Sequence, residues 1–436
     1  MSRNAGNADS VTCDERILKD CYQMYTNVHN GLITIAQSVG VTLLPPRKKI
    51  TVMLTGNYSA GKSSFINWYV EEYIQKTGAT SETQGFTLIT SGCKRESLTG
   101  NATFQLYPHL KPLQEVKGVS EYVGTEICTS LQKRFSLVTF VDTPGLVDGD
   151  MKYPFDVDQA ILRLGDVCDL ILVFFDPMGQ TLGKHTLNIL KQLSERQGDR
   201  LCFYLSKADE AGGESDRQRV MMQELCKHPG LNKCGFDMHT IYSPNPNKPS
   251  QCANQIEEVC HAIQKTINQT VQNTLNTLEK DCELICEAVT DTLNNDQQSC
   301  KENRNIGSLS CVLSLLAFGV MLLFTLLLGI LYSEVMELAL GASATETLLL
   351  YLAPVIRVLD SVPMQIQLII CGFLMQLSVI LLILAFLLFH TKPTLSEKQK
   401  IQLQEKLEYV QEVVKPTKKK LYEEYLRQSV GDQDTD

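Results

Sequence analysis

The stretch that most limits how this chain can fold is KITVMLTGNYSAGKSSFINWYV, Lys49 to Val70. Ile50 to Leu54 is apolar and rich in β-branched residues, the pattern of a strand buried on both faces of a parallel sheet. The run stops at Gly56, and apolar residues return at Phe65, Ile66, Tyr69 and Val70 with helical spacing. Between them Gly56-Asn57-Tyr58-Ser59-Ala60-Gly61-Lys62-Ser63 satisfies G-x-x-x-x-G-K-[ST] in the strand–loop–helix setting of a phosphate-binding P-loop. Its two glycines let backbone N–H groups converge on phosphate oxygens, and the following helix adds the positive end of its dipole. Lys62 is then the cation for the β- and γ-phosphates and Ser63 a Mg²⁺ ligand. Asn57, Tyr58, Ser59, Ala60 and Ser64 are the remaining loop residues expected against the nucleotide.

Three further segments fit a nucleotide domain. Gly78 to Gly92 opens polar and turn-rich, where a switch I loop would lie; Thr83 is the candidate to close over Mg²⁺ and the γ-phosphate, with Thr80 and Thr87 as alternatives. Ser136 to Gly145, SLVTFVDTPG, reads as a buried strand ending in Asp142. An acid there holds Mg²⁺ through its water shell, and the Gly145 N–H reports on the γ-phosphate. The next residue is Leu146, where many small GTPases carry a water-orienting glutamine. Leu170 to Phe175 and Leu201 to Leu205 are two more buried strands. The second ends in Ser206-Lys207-Ala208-Asp209, a base-recognition element: Asp209 accepts from a guanine edge and the Lys207 stem covers the ring. Ser206 replaces the usual asparagine or threonine, so guanine and adenine both stay open.

Together GNYSAGKSSFIN, DTPG and SKAD, with the long spacing between the first two, resemble the dynamin superfamily of large GTPases, nearest the EH-domain-containing type. The likeness covers roughly residues 10 to 290. It implies a dynamin-type G domain with GTP as substrate, ATP as alternative, and Mg²⁺ as cofactor. It also implies that Ser59 helps place a charge-compensating cation and the attacking water, and that Ser59, Lys62 and Thr83 carry catalysis. Ser63, Thr83 and Asp142 are the implied metal ligands, and Gly145, Lys207 and Asp209 sense phosphate and base. No EH module follows the domain, so recruitment by Asn-Pro-Phe peptides is not implied.

Flanking segments are helical. Apolar positions at Ile17, Cys21, Met24, Val28, Leu32, Ile35 and Val39 form one amphipathic stripe, with Thr12 and Glu15 at capping-box spacing. From Ile256 to Val289 the apolar steps are all threes and fours: Ile256, Cys260, Ile263, Ile267, Val271, Leu275, Leu278, Cys282, Ile285, Val289. This is a stalk helix, expected to pack on the N-terminal helix and the tail, or to pair with a second copy. The tail resumes helical spacing at Leu403, Leu407, Val410 and Val414, then Leu421 and Tyr425.

Two runs change the chemistry. Asn305 to Ser333 holds no charge, and Val362 to Phe389 is broken only by Gln365, Gln367 and Gln376. At 1.5 Å per residue each crosses a hydrocarbon core of about 30 Å. Lys301, Arg304, Lys392, Lys398 and Lys400 flank their outer ends, against Arg357, Glu334, Glu337, Glu346 and Asp360 between them. The positive-inside rule makes this a hairpin with both termini cytosolic. Within the connection, TLLLYLAPVIRVL is too short to span and reads as interfacial or re-entrant.

The expected fold is thus α/β, a P-loop NTPase with an all-α stalk and a two-helix transmembrane hairpin. Its segments are an N-terminal helix 1–46, a G domain 47–250, a stalk 251–304, spans 305–333 and 362–390 around a lumenal loop 334–361, and a tail 391–436. A net charge of −9 disfavours nucleic acid as a partner, and the polar first thirty residues show no secretory signal. Fifteen cysteines without metal-ligand spacing fit reduced thiols. The function expected is a membrane-anchored GTPase coupling G-domain self-association and hydrolysis to membrane tethering, fusion or remodelling. Its location would be the endoplasmic reticulum, endosomes or the mitochondrial outer membrane. The alternative is a nucleotide-controlled scaffold with little hydrolysis.

Overall fold

The computed structural model describes residues 12–77, 84–130, 132–146, 153–176, 183–209, 223, 225–227, 231, 238–244, 253–331, 337, 341–389 and 392–431. The chain forms two compact units: Met1–Glu283 with Glu412–Asp436, and Leu284–Gln411.

In the first unit, strands β1 (Ile50–Gly56), β2 (Phe86–Ser91), β3 (Glu96–Thr99), β4 (Val123–Cys128), β5 (Val138–Asp142), β6 (Leu170–Phe175), β7 (Leu201–Leu205) and β8 (His239–Thr240) make one sheet. Their order is β3-β4-β2-β5-β1-β6-β7-β8. Pairing is parallel from β5 through β8, whereas β2 runs antiparallel to β5 and β3 to β4. Every residue of β1, β5 and β6 is buried, as continuous apolar runs require of central parallel strands. Alternation then divides the core. Phe140 and Phe174 meet Phe65 and Tyr69 of α3 (Lys62–Val70), edge to face. Val141, Val173 and Phe175 share a cluster with Ile161 and Leu164 of α5 (Val157–Val167) and with Leu190 and Leu193 of α6 (Lys184–Gln197). A short helix, α4 (Gly100–Leu106), adds Phe104 to that cluster. Helices thus cover both faces, and the nucleotide-loop end of β1 is held at the centre of the sheet.

The N-terminal stripe, expected to be one helix, is two: α1 (Cys13–Thr26) and α2 (Leu32–Gln37). The break lies at Asn27, whose Oδ1 accepts from the N–H groups of His29 and Asn30, and it leaves Val28 84% exposed. Thr12 caps α1 as its spacing predicts, but the Glu15 carboxylate accepts from Ser136 Oγ at 2.8 Å instead of closing the box. Asp14, almost fully buried, pairs with Arg134 at 3.1 Å. The Gln132–Leu137 turn that α1 meets also holds the end of α3: Tyr69 Oη donates to the Lys133 carbonyl at 2.7 Å, and Lys133 Nζ lies 4.0 Å over the Trp68 ring. Lys133 and Arg134 both adopt left-handed backbone (φ 44° and 57°), a strained pair that these contacts fix just before β5.

Long α7 (Ile256–Leu331) begins in this unit. There it buries Val259, Ile263, Ile267, Val271, Leu275, Leu278 and Cys282; Val259 takes the inward position expected of Cys260, which is half-buried. Tyr25 Oη donates to Asp281 at 2.5 Å, and Gln272 Nε2 donates to Tyr425 Oη of α11 (Lys415–Gly431) at 3.0 Å. Arg16 pairs with Glu424. The stalk in this unit is therefore three helices from the start, middle and end of the chain.

Lys49, just before β1, is mostly buried and donates to Thr90 Oγ and to Ser91. Burial pushes its amine down to about 8, partly opposed by Glu15. A depressed lysine favours the neutral form in the fold, so its contribution is complete above the ordinary value near 10.5 and lost as pH falls through about 8. The stability of the native chain relative to a Lys49→Met variant is therefore expected to rise by on the order of 2 kcal/mol across that window, read by urea unfolding at several pH values. A flat difference would show that the amine is solvated.

The second unit contains the rest of α7, then α8 (Ala342–Asp360), α9 (Met364–Leu388) and α10 (Glu397–Tyr409). α7 and α9 are long and apolar enough to cross a membrane. They meet through small residues spaced by seven: Ser310 and Ala317 on α7, with Cys371, Ser378 and Ala385 on α9, all buried. Ser310 Oγ donates to the Ala385 carbonyl at 2.9 Å. Of the three glutamines in α9, Gln365 and Gln376 are exposed, whereas Gln367 is buried and donates from Nε2 to the Val362 carbonyl at 2.9 Å. Beyond the apolar stretch, Asn303 exchanges two hydrogen bonds with the Lys392 backbone, 2.8 and 2.9 Å, and Asp296 accepts from the Leu395 N–H and pairs with Lys400.

Candidate functional site

The P-loop takes its shape from two glycines with different duties. Gly56 (φ 142°) ends β1 where a Cβ would lie 2.0 Å from the Phe174 carbonyl oxygen, so the close approach of β1 and β6 requires it. Gly61 (φ 81°) faces open space and is needed for its left-handed backbone at the N-cap of α3. Ser59 is also left-handed (φ 59°), which curls the loop between them. Asn57, Ala60 and Lys62 are buried.

The DTPG segment is joined to this loop by backbone. Leu146 N–H donates to the Gly56 carbonyl at 2.9 Å, and Tyr58 N–H donates to the Leu146 carbonyl at 3.2 Å. Gly145 packs so closely on Tyr58 that a Cβ would sit 2.7 Å from its Cα. Tyr153 Oη donates to the Gly145 carbonyl at 3.1 Å. Leu146, the residue in the glutamine position, is buried.

Charge is concentrated behind the loop. Lys62 Nζ donates to the carbonyls of Asn57 (3.1 Å) and Gly56 (3.4 Å). Ser63 Oγ donates to Asp142 Oδ2 at 2.5 Å, while Asp142 Oδ1 is buried with no hydrogen-bond partner among the described residues. Burial pushes the Asp142 carboxyl up, opposed by Lys62 and by the Ser63 bond; burial pushes the Lys62 ammonium down, opposed by Asp142. Each charge is thus kept mainly by the other. An orphaned carboxylate oxygen beside a serine hydroxyl is an all-oxygen donor set that suits Mg²⁺, and the buried ammonium suits a polyphosphate. When bound there, the ion would neutralise charge on phosphate oxygens.

Beside the loop, a cleft of about 460 Å³ is lined by Gly61, Ser64, Lys207, Asp209, Ser243 and Pro244 among others. Lys207, itself left-handed (φ 52°), donates from Nζ to Ser59 Oγ at 3.2 Å and pairs with Asp176 at 2.9 Å. Ser206 also lines this cleft, and its hydroxyl donates to the Phe175 carbonyl at 2.9 Å. Thus the fold brings together Gly56 to Ser64, Asp142, Gly145, Lys207 and Asp209. Thr83 and Thr80 lie outside the described residues; Thr87 is in β2, opposite Asp142 in register. Asp176 is absent from the residues singled out by sequence, although it directly follows the LILVFF strand, one place beyond where Asp142 stands in its own.

A family model described as 50S ribosome-binding GTPase matches residues 51–207. Arabidopsis thaliana EH domain-containing protein 1 is 27% identical over 184 residues, 40% of this chain and 32% of that protein. The human EH domain-containing protein 2 is 25% identical over 174 residues, 37% of this chain and 30% of that protein. This chain thus matches about a third of the length of these relatives. Among solved structures, one chain of an oligomerised bacterial dynamin pair is similar over 97% of this chain and 78% of its own, at 13% identity and a TM-score of 0.40. With its buried lysine and aspartate and half-buried serine at the head of the parallel strands, the first unit carries a P-loop GTPase domain, distantly related in sequence to the EH-domain-containing proteins.

Proposed function

We propose that this protein is a membrane-anchored, dynamin-like GTPase that couples G-domain self-association and hydrolysis to membrane tethering, fusion or remodelling. The observation that carries this reading is α7: its first part belongs to the unit with the nucleotide site, and its last part is apolar enough to cross a bilayer. Lys62 and Ser63 hold the phosphates and Mg²⁺ with Asp142, Ser59 and Thr83 place the attacking water, Gly145 reads the γ-phosphate, and Lys207 and Asp209 take the base. GTP is the substrate; ATP is the alternative, because Ser206 stands where an asparagine or threonine is usual. Two spans anchor the protein in the endoplasmic reticulum, endosomes or mitochondrial outer membrane, with both termini in the cytosol. G domains and stalks then pair between copies on one membrane or two.

A nucleotide-controlled scaffold is the second reading, favoured by Leu146, which offers no side chain to orient water. Full-length protein in liposomes separates them. Turnover is expected to rise with protein density, and Lys62→Ala to lower it at least about 100-fold and abolish lipid mixing. Nucleotide binding with negligible turnover at every density would favour the scaffold. Whether the purified chain retains GDP or ADP settles the base.

A further inference from the structure

We infer that α8 is a third membrane-binding element: it lies flat in the headgroup region of the leaflet at the α8 end of the hairpin, with one stripe in the acyl chains. This rests on the two spans proposed above. The apolar stretch of α8 is Thr347–Val358, about 18 Å long at 1.5 Å per residue, well short of the roughly 30 Å needed to span. Yet it is not a core helix. Tyr351, Val355 and Val358 recur at steps of four and three, so they share one face, and they are 83, 45 and 66% exposed. Leu350 beside them is 76% exposed. A soluble connection would not display such a stripe to water.

The chain decides what covers it. Only Ser361, Val362 and Pro363 separate α8 from α9, and three residues reach about 10 Å. Pro363 is the N-cap of α9, and its carbonyl accepts from Ile366 and Gln367, so the apolar helix starts at once. The C-terminal end of α8 is therefore tied to the depth at which α9 enters the bilayer. Exposed Arg357, on the flank of the stripe, is long enough to reach lipid phosphates while its stem stays apolar. A helix held at that depth with an apolar face has lipid as its solvent. It displaces headgroups in one leaflet only, which is an asymmetry the two spans do not supply.

The single tryptophan makes the test direct. In full-length Trp68→Phe protein reconstituted in phosphatidylcholine liposomes, Tyr351→Trp and, separately, Val355→Trp would report on α8. Phe318→Trp and Phe373→Trp, both lipid-facing in the proposed spans, serve as controls. We expect blue-shifted emission from both α8 reporters, reduced by about half by lipids brominated near the carbonyl end and less by lipids brominated near the chain terminus. The controls should show the opposite depth preference. Water-like, unquenched emission from both α8 reporters with quenched controls overturns the inference and leaves the hairpin standing. Blue-shifted but unquenched emission means protein covers the stripe, such as a second copy, and also overturns it. Unquenched controls overturn the spans, and the inference with them.

Discussion

Replacing Asp142 by asparagine is expected to lower nucleotide turnover by about 100- to 1,000-fold and to remove most of the dependence of nucleotide affinity on Mg²⁺. Asp142 is fully buried, one carboxylate oxygen taken by Ser63 Oγ at 2.5 Å and the other without a partner among the described residues. A carboxylate in that state is costly unless a cation meets it. Lys62 supplies part of the compensation, yet burial still pushes Asp142 up and Lys62 down. Asparagine keeps the shape, deletes the charge and offers the ion one weaker oxygen. Because Ser63 is proposed to serve the same ion, Asp142→Asn and Ser63→Ala should be strongly non-additive: the double variant should fall only a few-fold below the worse single. Calorimetric titration with GTP, with and without Mg²⁺, reads the affinity, and phosphate release reads the rate. An Asp142→Asn protein with native Mg²⁺ dependence would place the metal elsewhere.

What could be read from sequence follows from how local each determinant is. The central strands were legible because burial on both faces writes an unbroken apolar run, and β1, β5 and β6 are buried throughout. Ser63 and Asp142 were legible because each sits at a fixed place in its own segment: the loop motif and the strand end. The two-helix N-terminus was missed because periodicity carries straight across Val28. The contrary signal was Asn27 with Gly31, where the asparagine folds back on the next N–H groups and a Cβ at Gly31 would strike the Asn27 carbonyl at 2.4 Å. The Lys133–Arg134 turn left no local signal at all. Its left-handed backbone is imposed by partners distant in sequence, Tyr69 and Asp14. Likewise the bond of Lys207 to Ser59 and its pairing with Asp176 appear only once three loops converge.

The two P-loop glycines are expected to fail in opposite ways. At Gly56 an alanine Cβ would lie 2.0 Å from the Phe174 carbonyl oxygen, with the Phe174 nitrogen at 3.0 Å, and the backbone is at φ 142°. Neither side can yield cheaply: Gly56 and Phe174 are in register between β1 and β6, two central strands buried on both faces. Separating them opens the sheet beneath the site, so Gly56→Ala should cost about 4 kcal/mol or more, a large share of an ordinary domain's stability. At Gly61 nothing lies within 4 Å of the Cβ position, and φ is 81°. Alanine there meets only the left-handed penalty, about 1–2 kcal/mol, and the domain should remain folded. What it loses is the loop: relaxing φ turns the N–H groups at the head of α3 away from the phosphates, and nucleotide affinity should fall at least about 10-fold. Urea unfolding and GTP titration on both variants make the comparison. Equal stability losses would mean that β1 and β6 can part at Gly56 at little cost, which the packing of two fully buried strands forbids.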